Sequence, residues 1–105
     1  MITIEICGKY IEVDNDGHIK NRADWNETVA SEIAKIEGIE ELNNKHWLVI
    51  NYMQKVFAEK GEAPSIRRIN KESGVNTKEF YTLFPKKPMK KAARISGLPK
   101  PRSCV

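Results

Sequence analysis

No stretch of this 105-residue chain stays apolar long enough to cross a bilayer, which takes about 20 consecutive apolar residues. A membrane role is therefore not expected. The opening Met1-Ile2-Thr3-Ile4-Glu5 lacks the charged start, long apolar stretch and small-residue cleavage site of a secretory signal, so the expected compartment is the cytoplasm. Cysteine is scarce: Cys7 and Cys104 stand near opposite ends. Two such thiols are not a disulfide framework, and a reducing compartment keeps both free unless chemistry acts on them. Histidine is equally scarce. Cys7, His18, His46 and Cys104 are scattered, with no CxxC or HxxxH pair to preorganise a metal site, so neither a metal nor another cofactor is expected. Internal repeats and low-complexity segments are also missing. The length suits one domain with one modest core.

Acid is nearly missing from the C-terminal part. Residues 1–62 hold 7 Lys/Arg and 12 Asp/Glu, whereas residues 63–105 hold 11 Lys/Arg and 2 Asp/Glu. The net charge of +4 thus divides into −5 and +9. Lys86, Lys87, Lys90, Lys91, Arg94, Lys100 and Arg102 crowd the last twenty residues with no acid among them. This asymmetry fits an anionic partner, either an acidic protein surface or nucleic acid, and fits equally a solvated basic face.

The pattern predicts an α+β, mainly α fold. Ile2, Ile4 and Ile6 alternate with polar residues, which is strand periodicity. Gly8-Lys9 turns the chain and Tyr10–Val13 returns, making a hairpin. Asn15-Asp16-Gly17 is a second turn, with His18–Lys20 as a candidate third strand. A first helix is expected from Asp24 as N-cap, with Glu27 three residues on and Trp25, Val29, Ile33 and Ile36 on one face. The central helix over 45–60 is apolar around a wide arc, and Gly61 suits its C-cap. A third helix follows Pro64 with Ser65 as cap and ends at Gly74. A fourth starts at Thr77 as cap and stops before Pro85. A fifth starts around Pro88, a good first-turn residue, and ends at Gly97.

Two features carry function in this reading. Residues 66–84 have the outline of a helix–turn–helix. Arg67, Arg68, Asn76, Thr77, Lys78 and Glu79 are the residues a DNA reader would present. The alternative is two packed helices with Phe80, Leu83 and Phe84 in the core, and it is favoured. The second feature is the tail, Leu98-Pro99-Lys100-Pro101-Arg102-Ser103-Cys104-Val105. Its prolines rule out helix and favour extended, polyproline-like chain. At ~3.1 Å per residue, such a tail carries the Cys104 thiol roughly 20 Å beyond Gly97. Lys100 and Arg102 beside it favour the thiolate. The domain is therefore expected to be residues 1–97, with residues 98–105 as a mobile arm.

The run Ala92-Ala93-Arg94-Ile95-Ser96-Gly97-Leu98-Pro99-Lys100-Pro101-Arg102-Ser103-Cys104-Val105 resembles the C-terminal signature of the DsrC/TusE family. Tyr81-Thr82-Leu83-Phe84-Pro85 with Pro88, Ala63-Pro64-Ser65-Ile66-Arg67, His46-Trp47, Asp14–Gly17 and Trp25 extend the resemblance over essentially the whole chain. It implies a β-hairpin followed by an orthogonal helical bundle with a helix–turn–helix-like unit and an extended C-terminal arm. It also implies a persulfide-carrying role for Cys104, with Arg94, Lys100 and Arg102 in support. TusE-type members pass sulfur along a relay towards 2-thiouridine in tRNA. DsrC-type members use a second cysteine, and the pair serves dissimilatory sulfite reductase, of which they are a gamma subunit.

That second cysteine falls eleven residues before Cys104, where this chain has Ala93. Other departures are Lys87 for the usual Gly, Ser96 for Ala, and Arg102-Ser103 for a commoner Thr-Gly. Cys7 has no counterpart. The resulting expectation is a sulfur-transfer protein without independent catalysis. Its partners would be relay donors and acceptors with acidic pockets. A sulfite-reductase-type partner stands second, and DNA binding through residues 65–84 stands third.

Overall fold

The computed structural model describes residues 2–6 and 8–99. Strands β1 (Ile2–Ile6) and β2 (Lys9–Val13) pair antiparallel with Ile4 opposite Ile11. The candidate third strand reduces to a single bridge between Val13 and Ile19. Five α-helices follow: α1 (Glu27–Ile36), α2 (Asn44–Lys60), α3 (Ile66–Glu72), α4 (Thr77–Leu83) and α5 (Pro88–Ile95). The α+β, mainly α architecture with a hairpin and helical bundle is therefore as expected. Among the described residues no helix is long and apolar enough to cross a membrane.

The first helix departs from expectation. Asp24 does not cap it but lies in a short 3-10 turn, Arg22–Asp24, capped by Asn21. The true cap is Asn26, whose side chain accepts from the Val29 amide at 2.8 Å. Trp25, expected on the helix face, is extended (φ −86°, ψ 140°). Its indole is bound elsewhere, as described below, and that bond favours the extended backbone over another helical turn. Ile36, expected inside, is exposed at the helix end. At α4 the cap is Asn76, one residue before Thr77, and Glu79 completes a capping box.

The core collects one face of each helix and the inner hairpin residues. Phe80, Phe84, Ile33, Ile50, Met53, Ile69, Met89 and Ile95 are fully buried, each worth about 1.5–3 kcal/mol relative to exposure. On α2 the wide apolar arc is only partly used. Val49, Ile50, Met53 and Val56 are buried, Trp47, Tyr52 and Phe57 are half-buried, and Leu48 is exposed. Lys86 and Lys87 lead into α5 in the left-handed region (φ 59° and 48°), a conformation that glycine adopts without strain.

His46 ties the start of α2 to the end of α4. Its Nδ1 accepts from the Asn43 amide at 3.0 Å, and its Nε2–H donates to the Leu83 carbonyl at 2.9 Å. Those bonds require the neutral ring, and burial lowers its pKa from the ordinary 6.5. Below about pH 6.5 the unfolded chain takes up a proton that the folded ring refuses. Its contribution is therefore complete above that pH and is lost as the pH falls. His46→Gln should flatten the acid limb of the stability curve by up to about 1.4 kcal/mol per pH unit. Denaturant titrations at several pH values would show it, and superimposable limbs for the two proteins would refute it.

Candidate functional site

Helix α5 ends in a tight reversal. Gly97 sits at φ +75°, its amide donates to the Arg94 carbonyl, and the Leu98 amide donates back to Ala93 at 2.9 Å. This is a Schellman-type ending, in which a left-handed residue lets the next amides cover the last carbonyls. Leu98, the first residue of the expected arm, is fully buried, and so is Ala93.

Three side chains from three separate segments seize the carbonyls that remain. Trp25 Nε1 donates to Ile95 O at 2.8 Å. Gln54 Nε2, from α2, donates to Ser96 O at 2.9 Å. His18 Nδ1, from the segment after the hairpin, meets Leu98 O at 3.0 Å. A carbonyl only accepts, so His18 carries its proton on Nδ1. The collar satisfies acceptors that a helix end leaves open. It thereby holds residues 95–98 in place against the bundle. The Trp25 ring lies directly against Gly97, where an added Cβ would stand 2.5 Å from the ring.

A second layer locks α5 laterally. Arg94 Nε donates to the Gly17 carbonyl at 3.0 Å, and its Nη1 pairs with the Glu37 carboxylate. Lys90 pairs with Asp16 at 3.1 Å, and Lys91 donates to the Glu37 carbonyl at 3.2 Å. Part of the charge asymmetry is thus answered inside the molecule, since basic α5 faces acids of the N-terminal half. Gly17 has no side chain because the guanidinium of Arg94 occupies that space, 2.7 Å from an ideal Cβ.

Of the expected site residues, Arg94 is placed in this lock, with its charge already paired. Cys104, Lys100 and Arg102 lie outside the described residues, as does Cys7. The helix–turn–helix outline exists as α3 and α4. There, Glu79 is engaged by Lys45 at 3.0 Å and by the cap, and Arg68 by Glu72. Asn70 Nδ2 bonds Thr77 Oγ1 across the turn. No cluster of three or more His, Cys, Asp and Glu suited to a metal occurs among the described residues.

The collar residues His18 and Gln54 escaped the sequence reading. Nothing local marks them, because their partners are 80 and 42 residues away. A signal did exist for Asp16 and Glu37: the acids of one half had to meet the bases of the other.

The family described as "DsrC like protein" matches residues 5–105. A protein of Photorhabdus laumondii named "Sulfurtransferase TusE" is 39% identical over 112 residues, covering 100% of both chains. A protein of Escherichia coli K12 with the same name is 39% identical over 105 residues, 93% of this chain and 95% of the other. Among solved structures, a chain in the crystal structure of dissimilatory sulfite reductase I superposes with a TM-score of 0.89 at 36% identity, covering 99% of this chain and 100% of the other. The oxidized gamma-subunit of dissimilatory sulfite reductase (DsrC) from Archaeoglobus fulgidus gives 0.82 at 37% identity, with 99% and 100% covered.

Proposed function

The chain belongs to the DsrC-like protein family, and from that premise we propose that it is a single-thiol persulfide carrier in a cytoplasmic sulfur relay, with Cys104 holding the sulfur. The observation that carries the reading is a pair of positions. By the resemblance of the tail, Cys104 stands at the place of the family's sulfur-bearing thiol and Ala93 at the place of its second thiol, and Ala93 is fully buried. In this reading residues 1–97 form the body and the tail is the delivering arm.

The chemistry needs no oxidant. The Cys104 thiolate attacks the outer sulfur of a donor persulfide. A Cys104 S–S bond forms, the donor S–S bond breaks, and the donor leaves as thiolate. An acceptor nucleophile then attacks that outer sulfur, and Cys104 leaves as thiolate in turn. Lys100 and Arg102 favour both thiolate states and suit an acidic partner surface. Arg94 supports the same work by holding α5, the base of the arm, against Gly17 and Glu37. Two-thiouridine formation in tRNA is the proposed destination, on the strength of the relatives named TusE.

The likeness to chains of dissimilatory sulfite reductase favours a second reading, a partner of such an enzyme. Two-thiol chemistry would then have to use Cys7. A disulfide requires α-carbons within roughly 7 Å, and nothing in the sequence brings Cys7 to the tail. Mild oxidation should therefore give dimers linked through Cys104 or mixed disulfides with small thiols. Non-reducing gels with peptide mapping decide it. A faster-running monomer bridged from Cys7 to Cys104 would overturn the single-thiol reading and bring the second forward.

A further inference from the structure

His18 is a fully buried polar group that the proposed chemistry does not use. Its side chain is fully buried, and one of its nitrogens is spoken for: Nδ1–H donates to Leu98 O. The other, Nε2, is buried and has no hydrogen-bond partner. A neutral imidazole tolerates this, because Nε2 then carries only a lone pair. An imidazolium does not, because it would bury an N–H with no acceptor, and an unmet buried donor is costly.

We propose that His18 is a proton-operated latch on the root of the C-terminal arm: neutral, it clamps the Leu98 carbonyl and seats the last residues of the body, and a proton from solvent on Nε2 forces the ring out and releases Leu98. The inference rests on the carrier reading for its purpose, but the latch itself is defined by the ring and the carbonyl alone. Released, Leu98 would add its own length to the chain that the carrier reading assigns to the arm.

The groups facing the ring come from each side of its site. Asp14 and Asp16, on the turn before it, favour the charged ring; Arg94, from α5, disfavours it. Asp14 is tied up locally, since its Oδ1 accepts from the amides of Asp16 and His18 itself, each at 2.9 Å. Asp16 binds Lys90, and Arg94 is held by Glu37 and Gly17. Burial outweighs these charges and the Leu98 hydrogen bond, and it lowers the pKa of His18 from 6.5. The latch is therefore shut at neutral pH and opens only on the acid side of the ordinary histidine range.

The coupling is reciprocal: whatever depresses the proton affinity of the closed ring must, by the same factor, favour the open root once the proton is bound. The opening equilibrium should rise about tenfold for each pH unit by which the closed ring titrates below its ordinary value. The same latch could be worked from the other direction, since a partner that pulls Leu98 away would raise the proton affinity of His18.

The test is NMR on the full chain. Ring nitrogen shifts should report the neutral Nδ1–H tautomer of His18 at neutral pH. Exchange of the Leu98 amide, corrected for its intrinsic pH dependence, should accelerate as the pH falls from 7 to 5. Amides in the middle of α2 should not change. His18→Asn retains a donor near the Nδ1 position and cannot titrate, so its Leu98 exchange should be independent of pH. An Nε2–H tautomer in the unmutated protein, which needs no variant to fold, would overturn the proposal. So would equal acid acceleration in the unmutated protein and His18→Asn. Sulfur loading of Cys104, measured by mass on the same samples, separates the two claims: its failure would sink the carrier reading and leave the latch to stand or fall on its own exchange data.

Discussion

Gly97→Ala should be among the most damaging single changes this protein can suffer, lowering stability by about 2–5 kcal/mol. Two causes act together. The backbone stands at φ +75°, where a side chain strains the chain. The new Cβ would also stand 2.5 and 2.7 Å from the Cδ1 and Cγ of Trp25. The ring would have to leave, and with it the indole bond to the Ile95 carbonyl. Gly38→Ala separates the causes. Gly38 has φ +90° but open space where a Cβ would go, so only backbone strain applies, about 1–2 kcal/mol. Urea denaturation midpoints compare them directly. Equal losses in the two variants would mean that the Trp25 ring yields freely and that the collar is not a rigid root.

The same collar shows what a sequence reveals and what it hides. Helix ends marked by local chemistry were legible: Ser65 before α3, Pro88 opening α5, Gly61 and Gly97 closing α2 and α5. Local signals fail where two neighbours compete. Asp24 and Asn26 both qualify as caps, and the choice between them is made by Trp25, whose ring is pinned 70 residues away. Ile36 reads as core from its spacing but ends up exposed, because periodicity says which residues share a face and not how far a neighbour extends over it. His18 is the sharpest case. In the sequence it closes a turn; in the fold it is a buried group on the Leu98 carbonyl. The tail signature was legible because chemistry there is written in consecutive residues, while the collar is assembled from positions 18, 25 and 54.

Charge gives a related lesson. The excess of base after residue 62 fits an anionic partner and equally a solvated basic face, and within the fold α5 spends Lys90, Lys91 and Arg94 on Asp16 and Glu37. That attraction docks α5 onto the body. Lys100 and Arg102 follow the collar in sequence, and the carrier reading assigns them to the thiol and its partners.

The largest chemical effect expected is all-or-none. Incubated with a persulfide donor, the protein should gain sulfur on Cys104, and Cys104→Ser should gain none there. Cys7→Ser should load as the unmutated chain does. The Cys104→Ser change is expected to move global stability by less than about 0.5 kcal/mol, as for substitutions away from packed features, so lost loading would not reflect lost folding. Intact mass followed by peptide mapping reads the result in one experiment. The account predicts added sulfur confined to the peptide that contains Cys104; sulfur found only on Cys7, or loading undiminished in Cys104→Ser, would contradict it.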